Sequence, residues 1–84
     1  MPAPLSAATA TLGQRVRSHR EALGLSQEAA AHRCGVHWTF LGQVERGRRN
    51  ISLHNLLKLA AGLDVDPCEL VRGLTPPEDG AHPG

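Results

Sequence analysis

The sequence has no tyrosine, one tryptophan, one phenylalanine and one methionine. A core must therefore be assembled from Leu, Val, Ile and Ala. Cysteine is nearly as scarce, with only Cys34 and Cys68. No run of 18 apolar residues occurs, so no membrane-spanning helix is expected. The N-terminus lacks a basic segment followed by an apolar one, so no signal peptide is expected either. A cytoplasmic, nucleoid-associated location follows, in which both thiols stay reduced. No nucleophile–base arrangement and no glycine-rich phosphate loop is present, which argues against an enzyme. A chain of 84 residues also leaves little room for a small-molecule pocket, and no cofactor is called for. Such a chain fits one small domain. It buries only ~60% of its unfolded surface, so its stability is modest unless a partner contributes.

Net charge is also low, at +1, but its distribution is uneven. Residues 1–63 carry eight Lys/Arg against three acidic residues, a net +5, whereas residues 64–84 carry one against five, a net −4. A basic body is what phosphate binding requires.

What the chain does have is concentrated between Gly24 and Gly47, reading GLSQEAAAHRCGVHWTFLGQVERG. Ser26 is suited to cap a helix that starts at Gln27 and runs to about Cys34. Gly35 suits a sharp turn with positive φ, and Val36 pins that turn to the core. A second helix follows from about His37 to Arg46, with Leu41 and Val44 on one face, and Gly47 closes it. Two short helices joined by a glycine turn form the layout of a helix-turn-helix, whose second helix enters the DNA major groove.

The flanks complete an all-α chain of five helices. Residues 1–8 are rich in Pro, Ala and Ser and are expected to form a disordered arm. A domain is expected over 9–74. Its first helix begins at a cap on Thr9 or Thr11 and ends near Leu23, with Leu12, Val16 and Leu23 facing inward. Ser52 is a credible cap for a fourth helix, in which Leu53, Leu56, Leu57, Ala60 and Leu63 form the core wall. Asp66-Pro67-Cys68-Glu69 opens a fifth helix, with Asp as cap, Pro at the first helical position and Glu completing a capping box. Residues 75–84 show no apolar pattern and are expected to be a disordered tail.

LGLSQEAA, CGV, FLGQVERGRRN and SLHNLLKLAAGLDVDPCEL follow one another in an order and spacing that resembles the Cro and phage-repressor (XRE-like) family of helix-turn-helix regulators. The resemblance runs from Leu12 to about Leu70. It implies a five-helix lambda-repressor-like domain that binds double-stranded DNA and regulates transcription. It also implies an ion pair between Arg20 and Glu45, and base contacts from the positions of Trp38, Thr39 and Gln43. The short length and the ERGRRNIS run look most like the small controller proteins of restriction–modification systems, with compact repressors and antitoxins close behind.

Helical spacing by itself exposes His37, Trp38, Thr39, Gly42 and Gln43, and the four side chains among them other than Gly42 are the expected base readers. Gln43 lies four residues after Thr39, on the same face. A Gln carboxamide is able to pair with adenine N6/N7, and Thr39 with a base edge or a thymine methyl. Trp38 is unusual at its position: it either meets DNA or packs sideways on Ile51 or Leu12. Gln27, Arg48, Arg49 and Asn50 are expected at the phosphate backbone, with Arg49 also able to reach a base. One helix-turn-helix reads few base pairs, so a homodimer is expected, joined through Leu70, Val71 and Leu74. His32, Cys34 and His37 fall within six residues, but the resemblance implies a buried small residue at Cys34, which should then point inward, and His32 lies on another side of its helix, so no metal site is expected. The rival from another class is a protein-interaction module whose main partner is a protein, suggested by Trp38 and by the low net charge.

Overall fold

A computed structural model describes residues 3–77. Five helices follow in order: α1 (Ala7–Ala22), α2 (Gln27–Cys34), α3 (Trp38–Glu45), α4 (Leu53–Gly62) and α5 (Cys68–Val71). The described residues form no strand.

Helices α2, α4 and α5 start where a short polar side chain supplies a missing acceptor. The Ser26 hydroxyl accepts from the Ala29 N–H at 3.0 Å, and the Ser52 hydroxyl from the Asn55 N–H at 3.1 Å. Asp66 Oδ1 accepts from the Cys68 N–H at 2.9 Å, which holds this carboxylate below its ordinary pKa. The expected capping box at α5 is absent, because Glu69 pairs with Arg72 at 2.8 Å instead.

The start of α1 differs from expectation. The cap is Ser6, whose hydroxyl accepts from the Thr9 N–H at 3.1 Å while Thr9 Oγ1 accepts from the Ser6 N–H at 3.0 Å. Thr9 is thus the reciprocal partner in the box, not the cap, and Ala7 and Ala8 already belong to the helix. Leu5 in turn donates its N–H to the Gly47 carbonyl at 2.9 Å, laying the arm against the end of α3. At the other end, residues 78–84 of the expected tail lie outside the described residues.

The core comprises Leu12, Val16, Ala30, Ala31, Cys34, Leu41, Val44, Leu59, Ala60, Leu63 and Leu70. Helices α1 and α3 pack through Gly13, where an added Cβ would fall onto the Val44 carbonyl oxygen. Helices α2 and α4 pack through Gly62, where an added Cβ would fall onto the Cys34 sulfur and backbone. That second contact sets the register of α4. Leu56, Leu59, Ala60 and Leu63 turn inward, spaced i, i+3, i+4 and i+7. Leu53 and Leu57, expected in the core wall, are instead 66% and 44% exposed. Leu23, also expected inside, caps the end of α1 and is exposed, while Leu25 packs against the core in its place.

Leu70 requires a larger correction. It was expected on a surface for a second subunit, yet it is fully buried. Helix α5 packs on α1, and Arg15 Nη1 fastens the two by donating to the carbonyls of Leu70 at 3.3 Å and Arg72 at 2.7 Å. Of the three residues expected at that surface, Val71 is exposed and Leu74 half-buried.

Candidate nucleic-acid interface

The turn between α2 and α3 is built as the sequence requires. Gly35 takes φ +72° and donates to the His32 carbonyl at 3.2 Å, and the Val36 N–H reaches back to Ala31 O at 3.1 Å. This satisfies the last carbonyls of α2. Val36 is half-buried against the core and aims the chain into α3.

His37 is the cap of α3. Its Nδ1 accepts from the Thr39 N–H at 3.1 Å and lies 2.7 Å from the Thr39 hydroxyl. Accepting at Nδ1 places the ring proton of the neutral imidazole on Nε2. The ring also stacks on Trp38, with centroids 5.9 Å apart and an interplanar angle of 25°. Trp38 remains 51% exposed, so it does not pack inward on Leu12 or Ile51. His37 therefore spends one ring nitrogen on orienting Thr39, and only Nε2 is left to face outward.

Behind α3, Glu45 anchors a polar cluster. Arg20 Nε and Nη2 donate to its two oxygens at 2.6 and 3.0 Å, and Gln27 Nε2 donates to Oε1 at 2.9 Å. Arg20 Nη1 reaches the Leu25 carbonyl at 2.9 Å. The side chains of Arg20 and Glu45 are only 12% and 3% exposed. Hydrogen bonding to Glu45 raises the Arg20 pKa further above its ordinary value, against the opposing effect of burial. The cluster links α1, the start of α2 and the end of α3, so it fixes the angle of α3 to the rest of the domain. Gln27 thus has a structural partner that spacing did not reveal. Its carboxamide oxygen faces Gly42, beside the Arg46 guanidinium: a Cβ on Gly42 would lie 3.5 Å from each.

Beyond Gly47, which has φ +75°, the loop turns back along α3. Arg49 Nη1 donates to Gln43 Oε1 at 2.9 Å, and the guanidinium carbon lies 4.9 Å from the centroid of the Phe40 ring. Arg49 and Asn50 are exposed. Arg48 is half-buried, with its Nε buried and without a hydrogen-bond partner among the described residues. His37, Trp38 and Thr39 thus stand at the head of α3, and Gln43 one turn on with Arg49 beside it. Two participants escaped the sequence reading. Arg46 is exposed at the end of α3, and its signal was the three arginines within Arg46–Arg49. Phe40, read only as an apolar residue of α3, also serves as a platform for Arg49.

No group of three or more metal-ligating side chains converges among the described residues. Cys34 is buried, which pushes its thiol pKa up, and Cys68 is exposed. No helix among the described residues is long and apolar enough to cross a membrane.

A sequence-family profile described as helix-turn-helix, HTH_3, matches residues 16–70. Control protein C.BamHI of Bacillus amyloliquefaciens is 42% identical over 60 residues, covering 70% of this chain and 74% of that protein. Among solved structures, the restriction–modification controller protein C.AhdI from Aeromonas hydrophila superposes with a TM-score of 0.74 at 52% identity, covering 76% of this chain and 97% of the other. The hypothetical transcription factor NHTF from Neisseria superposes with a TM-score of 0.73 at 38% identity, covering 94% and 91% of the two chains.

Proposed function

The chain belongs to the HTH_3 helix-turn-helix family of DNA-binding transcriptional regulators, and on that premise we propose that it acts as a dimer on an inverted-repeat operator, in the manner of a restriction–modification controller. The observation that carries this reading is the exposed head of α3 flanked by an arginine-rich loop. Thr39 and Gln43 act as base readers, with Trp38 packing its ring on a thymine methyl or a sugar. His37 works mainly through Thr39, by holding its hydroxyl and backbone in place. Arg48, Arg49, Asn50 and the N-terminal end of α2 at Gln27 contact phosphates.

The dimer forms through an apolar face that excludes Leu70. Leu53, Val71 and Leu74 surround a groove of about 210 Å³ whose floor includes Leu12, Ile51 and Leu56. Leu57 extends the exposed strip one turn along α4. A closed two-fold pair would bury this strip and present two copies of α3 to half-sites about one helical turn apart, ~34 Å.

The test is selection of genomic fragments by the purified protein at near-physiological salt. The expected result is an enriched inverted repeat with arms about one turn apart. Affinity for that repeat should fall steeply with salt, with a log–log slope of roughly −0.9 for each phosphate contacted. No enrichment by a folded protein would overturn the operator reading and favour a protein partner instead.

A further inference from the structure

Adenine is read by a carboxamide that offers its oxygen to N6–H₂ and its nitrogen to N7. In Gln43 that oxygen is already engaged through one of its two lone pairs. Arg49 Nη1 already donates to Gln43 Oε1 at 2.9 Å. The orientation of the carboxamide is not open to choice, because a guanidinium has only donors and must meet the oxygen. Arg49 is held in turn by the Phe40 ring beneath it, at a distance suited to a cation–π contact. Phe40 packs against the core, so its ring is a fixed platform.

The free hydrogen-bonding capacity of this pair is therefore mostly donor: the two N–H bonds of Gln43 Nε2 and the remaining N–H bonds of Arg49, against one lone pair left on Gln43 Oε1. Guanine presents two acceptors in the major groove, N7 and O6. Adenine places its N6–H₂ donor beside N7, and cytosine presents an N4–H₂ donor. A donor-rich, positively charged unit is most complementary to the first, and in the other two it sets most of its donors against a base donor. Thymine offers a single acceptor next to a methyl group.

We propose that Gln43 and Arg49 act as one donor-rich reading unit that selects guanine in each half-site, with Phe40 as its positioning residue. The inference rests on the operator reading above. It reverses the base expected for an isolated glutamine, and it makes Arg49 the switch. Without Arg49, both lone pairs of the Gln43 oxygen are free and the surplus of donors is gone, leaving the donor–acceptor pattern that matches adenine.

The protein and its Gln43→Ala, Arg49→Ala and Phe40→Leu variants, each checked for folding by circular dichroism, are used to select from a pool of random-sequence duplexes at near-physiological salt. The wild type is expected to enrich a site in which one base pair per arm loses its preference in Gln43→Ala. That position should hold guanine in the wild type and move to adenine in Arg49→Ala. Phe40→Leu keeps an apolar side chain and removes the π face, so it should blur the same position. Replacing that guanine by 7-deazaguanine, which removes only the N7 acceptor, should weaken wild-type binding roughly tenfold. The inference is overturned if the position holds adenine in the wild type, if Arg49→Ala leaves guanine preferred, or if Gln43→Ala changes no position. Those results leave the operator reading intact. Absence of any enriched site overturns both.

Discussion

Glu45 shows how much a single side chain can decide in so small a domain. It receives three hydrogen bonds, two from Arg20 and one from Gln27, in a nearly dry position. Removing Arg20 would leave that carboxylate buried and uncompensated, a change that costs about 3–5 kcal/mol in comparable pairs. Arg20→Ala is accordingly expected to lower the urea midpoint sharply and to impair DNA binding, since the cluster sets the tilt of α3. A loss below about 1 kcal/mol in urea unfolding would show that the pair contributes little. At this scale the candidate site was partly legible. Spacing alone put Thr39 and Gln43 on one face, and resemblance supplied the Arg20–Glu45 pair. The Gln43–Arg49 bond was not legible, because it runs back across the Gly47 turn and no helical period relates the two residues. The capping role of His37 was hidden for another reason: an imidazole resembles a hydroxyl acceptor only when its tautomer is known.

At the scale of elements, the helices follow from caps and glycines that are visible in the chain, and the order of five helices matches expectation. The failures share one cause. The apolar residues of α4 fit more than one inward face, and the choice among them is made by the crossing with α2. Gly62 permits that crossing, because its missing side chain leaves room for Cys34. In an exposed helix, Gly→Ala gains up to about 1 kcal/mol. Here the sign should reverse, since a methyl group meets the Cys34 backbone as well as its sulfur, and overpacking of this kind costs about 1–3 kcal/mol. Gly62→Ala is thus expected to lower the thermal midpoint, and a raised midpoint would show that the two helices separate easily. Leu70 was misplaced for a related reason. A helix of four residues has too short a period to reveal its buried side, and only its docking on α1 through Arg15 determines it.

For the whole molecule, the decisive feature is apolar surface left over after the core is complete. Leu53, Leu57 and Val71 are 66%, 44% and 38% exposed on a domain that has few large side chains to spare. Leu53→Asp together with Leu57→Asp is expected to reduce the mass in solution, measured by light scattering, from two chains to one. Because both positions are exposed, the thermal unfolding of the single chain should be nearly unchanged. A wild-type mass already equal to one chain at micromolar concentration would remove the dimer. The exposed indole of Trp38 has an optical consequence. With no tyrosine in the chain, it is the dominant source of near-ultraviolet emission, and it stands at the proposed reading surface. Since the ring is already wet in the native state, its colour should change little on unfolding and more when a duplex covers it. The protein thereby carries an intrinsic, label-free reporter that responds to occupancy more than to folding.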